Sequence, residues 1–470
     1  MEMIIAGQRV RGSRRMEVCN PYDGSVTDTV PLATADEREA AVQAAVAARP
    51  LMRALPAHER AAVLGRTSGL IEAHANELQR LIALESGKTI REAATEVARA
   101  VQTFRLSAAA ALDITGETVP FDAAPGAERK MGFYLREPVG VVLAITPFNF
   151  PLNLPAHKIA PAIAAGCPVI FKPASATPLT GVRLGELLLE AGLPPQGISV
   201  LTGRVDVLGD PLVADERIRK VSFTGSAAVG KHLTTIAGLK RLTLELGSDS
   251  AVVVMADADL AAAAKRIVVG AYAQAGQVCI SVQRLFVQRD VFDDFLALFQ
   301  PLVEALRVGD QMLEETDVGP MIDEGAARQT EERLAQAVAG GARVLCGGQR
   351  NGTLVTPAIL TNVPRDCFFG CEEAFAPLVI LRPFDTLDEA LAELNASAYG
   401  LQAGIYTRDL ATAWAFIKGT EVGGVMVNEI PTFRADLMPY GGVKDSGLGR
   451  EGPKFAVEEM TELKLVAFNL

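Results

Sequence analysis

The chain has 470 residues and a net charge of −11, with 45 basic side chains against 56 acidic ones. That length exceeds what one hydrophobic core serves, so two or three domains are expected. The acidic balance, without any basic tract, excludes a nucleic-acid surface, and no run reaches the ~18 apolar residues that a membrane span needs.

The first ten residues lack a charged segment followed by an apolar one, so no secretory signal is read. Residues 1–20 read as a strand and turn ending in Asn20-Pro21. From 34 to 112 the chain is rich in Ala, Glu and Leu at helical spacing, which predicts three or four helices. Over 115–136, Gly116, Pro120, Pro125 and Gly126 punctuate short β-prone pieces, an excursion from the main body. A regular alternation follows. Strands are predicted at 139–145, 168–172, 198–202, 220–223 and 241–246, with helices at 153–165, 178–191, 207–215 and 227–237 between them. The strands are rich in Val, Ile and Phe without polar alternation, the pattern of parallel strands covered on both faces. The expected fold is α/β: a doubly wound, Rossmann-like cofactor domain, then a second α/β unit from 251 to 427.

In that second unit a helical pattern over 258–275 leads into Gly276-Gln277-Val278-Cys279-Ile280-Ser281, and then into a strand-like run at 283–287. The final run, 462–468, alternates and reads as a strand that pairs outside its own domain. The expected division is a cofactor domain from 1–114 and 138–245, a catalytic domain over 246–435, and a small β oligomerisation lobe from 115–137 with 455–470. Edge pairing by the terminal strand predicts a homodimer or homotetramer. The six cysteines are scattered; Cys367 and Cys371 lack zinc-ligand spacing and histidine neighbours, so no metal site is read. Sparse thiols in a large chain suit a reducing cytoplasm.

A single cysteine is ordinarily a small core residue. What distinguishes Cys279 is a series of other segments. Thr146-Pro147-Phe148-Asn149-Phe150-Pro151 directly follows a buried strand, and Phe171-Lys172-Pro173-Ala174 ends the next. Phe223-Thr224-Gly225-Ser226 opens a helix, and Glu245-Leu246-Gly247 precedes Cys279 by 34 residues, counted from Glu245. Downstream stand Glu372-Glu373-Ala374-Phe375-Ala376-Pro377, Tyr440-Gly441-Gly442 and Ser446-Gly447-Leu448-Gly449-Arg450-Glu451. Gly225 to Lys231 also fits a phosphate-loop spacing, but His232 stands where Ser or Thr must hold magnesium, which argues against an NTPase.

Together, in this order and spacing, the segments resemble the aldehyde dehydrogenase superfamily over nearly the whole chain, on the side of its hydrolytic lactaldehyde and semialdehyde branch. The resemblance implies oxidation of an aldehyde to a carboxylic acid with NAD or NADP. It implies Cys279 as the nucleophile, whose thiohemiacetal gives up hydride to the nicotinamide and becomes a thioester. Asn149 would steady the oxyanion. Glu245 would be the general base, its carboxyl raised by burial at a strand end, and Glu451 a proton relay or the partner in a salt bridge. Thr146, Pro147, Phe148, Lys172, Ser175, Gly225, Ser226, Glu373 and Phe375 would hold the cofactor. Relatives that use NAD often carry glutamate at the position of Ser175, so the choice between NAD and NADP stays open. Ser248-Asp249 departs from the Gly-Lys that most relatives carry there.

By the same resemblance the substrate pocket takes in Arg99, Phe150, His157, Arg434 and Tyr440. Two guanidinium groups suit a small polar or anionic aldehyde: a hydroxyaldehyde, a semialdehyde, or a phospho- or sulfo-aldehyde. Val278 argues the other way, because several phosphorylated-aldehyde enzymes have arginine just before the nucleophile. Transfer of the thioester to coenzyme A is the alternative outcome, and Glu245 favours water.

Overall fold

The computed structural model describes residues 1–470. After four short strands come four helices: Ala35–Ala54, Ala57–Ala73, Ala75–Ser86 and Ile90–Leu112. The first and fourth begin in reciprocal capping boxes, Thr34 with Glu37 and Thr89 with Glu92, which satisfies N–H groups that a helix start leaves free.

Behind them lies an eight-stranded sheet. Its five parallel strands run, across the sheet, Ile198–Val200, Val169–Lys172, Val141–Ile145, Ile218–Thr224 and Arg241–Glu245. In chain order that is 3-2-1-4-5, the doubly wound arrangement expected from the sequence. The order reverses between Val141–Ile145 and Ile218–Thr224, and a crevice opens beyond their carboxyl ends. Thr146 to Asn149 and Thr224 to Ser226 therefore meet at one rim. The helix Asn153–Ala165 crosses this sheet with all 13 residues buried, His157 and Lys158 among them.

The second sheet has seven strands, and only the outer pair, Arg343–Cys346 with Ala358–Thr361, is antiparallel. Arg284–Gln288 and Ala251–Val254 sit at its centre, with Gln402–Tyr406 beside them. A third, three-stranded sheet pairs the terminal strand Thr461–Asn469 with Lys130–Pro138 along its whole length, and Thr118–Val119 completes it. No helix is long and apolar enough to cross a membrane.

Some elements differ from the sequence reading. The predicted helix over 207–215 is two short ones, Val205–Leu208 and Asp210–Ala214, broken at Gly209 with Pro211 in the first turn of the second. The hairpin Arg15–Cys19 with Val26–Pro31 goes beyond the single strand and turn expected over 1–20, and the helix Pro453–Glu459 begins two residues after Glu451. Gly447–Leu448 adds an antiparallel edge to the first sheet, beside Glu245. That short pairing carries the Tyr440–Glu451 stretch across to the carboxyl end of Arg241–Glu245.

Candidate active site

The helix leading to Cys279 stops at Tyr272, three residues before the predicted end. Gln274 and Ala275 then adopt left-handed backbone, with φ of 49° and 52°. The Glu92 carboxylate accepts the Gln274 N–H at 2.7 Å and pins this turn to the fourth helix. Gly276 has φ +69°, and a Cβ there would overlap the Ala376 carbonyl. Only glycine fits both demands. Gly276→Ala is expected to cost at least about 1–3 kcal/mol and to displace the thiol, read as a lower thermal midpoint together with altered alkylation of Cys279.

Cys279 lies between two cavities. One, of about 380 Å³, is the crevice at the sheet reversal, walled by Phe148, Asn149, Thr224, Ser226, Glu373 and Phe375. The other, of about 280 Å³, runs past Lys88, Arg99, Phe150, Thr432, Arg434 and Tyr440. Cys279 lines both. Burial, with Glu373 and Glu245 nearby, pushes its thiol up to about 11; a hydrogen bond with Tyr440 and the charge of Arg434 oppose that rise.

Asn149 ends the loop after Val141–Ile145. Its Nδ2 donates to the Gln277 carbonyl at 2.9 Å, and its Oδ1 has no partner. The Cys279 backbone N–H meets no backbone or side-chain acceptor. Glu245 is buried at the end of its strand with neither carboxylate oxygen hydrogen-bonded. Burial first, then the charge of Glu451, holds its carboxyl well above the usual carboxylate range. Glu451 goes the other way. Burial opposes its ionisation, but Lys158 at 2.7 Å and Arg434 at 3.0 Å outweigh burial and hold it at about 2. Two buried carboxyls driven apart in this manner are the pattern of divided acid–base roles.

Around the crevice, Ser226 caps the helix Ala227–Ile236, whose first turn carries no acidic residue. The Thr224 hydroxyl is buried without a partner. Glu373 accepts the Ser248 N–H at 3.0 Å, and burial raises its carboxyl to about 8. Phe375, at φ +48°, packs edge-on against Phe148 with ring centres 5.9 Å apart. Pro147 and Gly225 complete the wall. Lys172 and Ser175 stand one strand further on. Burial lowers the Lys172 ammonium to about 8, and its Nζ finds only the Pro173 carbonyl, at 3.2 Å; the Ser175 hydroxyl donates to Gly203. Thr146 is buried behind the rim, its N–H on the Lys172 carbonyl. The Ser248 hydroxyl pairs with Ser250, and Asp249 with Arg284, so that departure from the common motif is absorbed by local partners.

One residue assigned to the pocket lies elsewhere. His157 does not line the second cavity. It is buried in its helix and shares Asp436 at 2.9 Å with Arg99. Burial, then the nearby Arg434, brings its ring down to about 4, so it stays neutral and serves to hold Asp436. Phe150 lies under the Lys88 ammonium at 3.6 Å. Lys88, Lys158 and Asp436 escaped the sequence reading. Lys158 left a signal, as the one lysine in an otherwise uncharged, buried helix; Asp436 left none.

The sequence pattern of the aldehyde dehydrogenase family matches residues 9–466. The chain is 43% identical over 468 residues to 3-sulfolactaldehyde dehydrogenase of Priestia aryabhattai, covering 100% of this chain and 98% of that protein. Among solved structures, aldehyde dehydrogenase 21 of Physcomitrella patens, in complex with the reaction product succinate, superposes with a TM-score of 0.98 at 39% identity, over 100% of this chain and 98% of that one. NADP-dependent glyceraldehyde-3-phosphate dehydrogenase of Bacillus halodurans C-125, complexed with NADP, gives 0.97 at 36% identity, over 100% and 99%. A thiol between two cavities, an unpartnered buried carboxyl and a match across almost every residue lead to one assignment: the chain belongs to the aldehyde dehydrogenase family.

Proposed function

We propose that this enzyme oxidises a small anionic aldehyde to its carboxylic acid, with Cys279 as the nucleophile and water as the final acceptor. The observation that carries the reading is the position of Cys279, open to both cavities at once. A dinucleotide fits the larger one. The orphaned Thr224 hydroxyl, the uncharged first turn after Ser226 and the thinly bonded Lys172 ammonium offer donors to phosphate and ribose. Gly225, Glu373 and Phe375 would complete that hold. When bound, NAD(P)+ supplies the acceptor for two electrons.

The protein's own residues supply the rest. Cys279 Sγ adds to the carbonyl carbon. The Asn149 amide and the free Cys279 N–H receive the oxyanion. Glu245, without a hydrogen-bond partner, takes a proton from the water that releases the acid. A base kept for water supports hydrolysis over transfer to coenzyme A. Ser175, where a glutamate would repel a 2′-phosphate, and the NADP complex of the Bacillus relative support acceptance of NADP.

Two arginines lining the substrate cavity support an anion there. Arg99 spends Nε and one terminal nitrogen on Asp436. Arg434 spends one terminal nitrogen on Glu451, and its buried Nε has no partner. Both keep donors in hand. Their relatives' substrates or products — sulfolactaldehyde, succinate and glyceraldehyde-3-phosphate — are all anionic. A panel of sulfonated, carboxylated, hydroxylated and aliphatic aldehydes with both cofactors tests this. Arg99→Ala is expected to raise KM for an anionic aldehyde at least about tenfold, the worth of a charge-assisted bond, and to leave propanal nearly unaffected. Equal effects on both would remove the anion from the reading.

The terminal strand leaves one edge unpaired and exposes Leu463, Leu465 and Phe468. That surface supports assembly of like copies through this lobe. Six free cysteines support a reducing, cytoplasmic setting.

A further inference from the structure

Tyr440 and Cys279 are 161 residues apart in sequence, yet the Tyr440 Oη lies 3.1 Å from Cys279 Sγ. The phenol is buried, and no other hydrogen bond involves its hydroxyl. A buried tyrosine hydroxyl ordinarily finds a partner; here the partner is the sulfur itself. The residue is held firmly. Its N–H and carbonyl both pair with the backbone of Glu451, at 3.1 and 2.7 Å. The Arg434 guanidinium carbon sits over its ring, 3.7 Å from the centre, and is itself held by the Glu451 carboxylate.

We propose that the Tyr440 hydroxyl is the hydrogen-bond donor that stabilises the Cys279 thiolate, with the stacked Arg434 guanidinium strengthening that donor. This rests on the reading of Cys279 as nucleophile. A thiolate carries no proton, so the phenol must donate once the sulfur ionises. The groups facing the pair set the balance. Glu245 and Glu373 oppose a negative sulfur, Arg434 favours it, and Val278, Ile280, Leu401 and Met438 exclude water around it. Burial raises the phenol above its ordinary value of 10, which favours the form in which Tyr440 keeps its proton. An arginine on the ring face draws electron density from the phenol, which makes the O–H a better donor. Tyr440 thereby touches the reacting atom and lowers the cost of ionising a thiol that burial otherwise keeps protonated.

The test is the pH dependence of iodoacetamide labelling in the full chain without substrate or cofactor, with each cysteine quantified by mass spectrometry. Tyr440→Phe keeps the ring and the stack and removes only the hydroxyl. It is expected to move the Cys279 midpoint up by about one pH unit or more, slowing labelling near neutral pH about tenfold. The exposed Cys19 and Cys371 serve as references and should not change. A midpoint that stays in place, or moves down, overturns the proposal. Arg434→Met should shift the midpoint further when tyrosine stands at 440 than when phenylalanine does; equal shifts would give Arg434 only a direct effect and overturn its part. Because labelling needs no turnover, this result stands or falls apart from the nucleophile reading, which fails if Cys279→Ser keeps full activity.

Discussion

Cys279→Ser is expected to lower aldehyde oxidation about 10⁴-fold or more, the scale seen when a covalent nucleophile is removed, while dinucleotide affinity stays unchanged. A serine hydroxyl fits the space, so folding is not the issue. The difference is ionisation. A thiolate is within reach near neutral pH and leaves readily when water attacks its ester; an alkoxide is neither. The supports around Cys279 are built for sulfur. The Tyr440 hydroxyl and the Arg434 charge favour the thiolate against the burial that pushes the thiol up to about 11. They do not bring a hydroxyl into range. Serine keeps the place of Cys279 in the crevice wall, and Thr224, Ser226 and Glu373 are unchanged, so NADP titrated by fluorescence should bind the variant as it binds the parent. Production of reduced cofactor, followed by absorbance, is the decisive readout. Undiminished turnover in the serine variant would mean that the chemistry does not pass through this side chain.

The sequence made the strands and the rim of the crevice legible for one reason. Parallel strands buried on both faces are near-continuous Val, Ile and Phe, and the segments that carry chemistry are the short turns just after them. Asn149, Ser226 and Glu245 were therefore found as strand-end residues, and the structure gathers them around Cys279. Contacts across long loops were not legible. The resemblance places His157 in the pocket, but only the first turn of its helix, Asn153 and Leu154, reaches that cavity, and His157 lies one turn further along in the packed interior. Its ring turns to Asp436, 279 residues away. The bond from Tyr440 to Cys279 depends on the Gly447–Leu448 edge pairing, two residues long, which no periodicity announces. The end of the helix before Cys279 was misjudged for a related reason. Alanine continues a helical pattern, whereas the actual stop is imposed by Glu92 from a distant helix and by the Ala376 backbone.

Glu245→Gln separates the two halves of the reaction. Acylation of Cys279 needs a thiolate and an oxyanion site, and the glutamine leaves both in place. Release of the acid needs a base for water, and the amide provides none. One equivalent of reduced cofactor per site is expected at once, followed by a steady rate about 10²–10⁴-fold below the parent. The chain should then carry the mass of the acyl group on Cys279, and hydroxylamine should discharge it and restore turnover. The pH profile carries the same argument. Because burial and the Glu451 charge raise the Glu245 carboxyl, its base form appears only as pH climbs through that raised value. Turnover of the parent should therefore rise along a limb displaced well above the range of a surface carboxylate, and the limb should vanish in Glu245→Gln. Glu451→Gln removes the repelling charge and leaves Lys158 and Arg434 uncompensated beside Glu245. Both changes favour the ionised base, so the limb should move to lower pH, although breaking that buried ion cluster costs about 3–5 kcal/mol of stability. A limb that ignores both substitutions, with no acyl group accumulating, would remove Glu245 from the hydrolytic step.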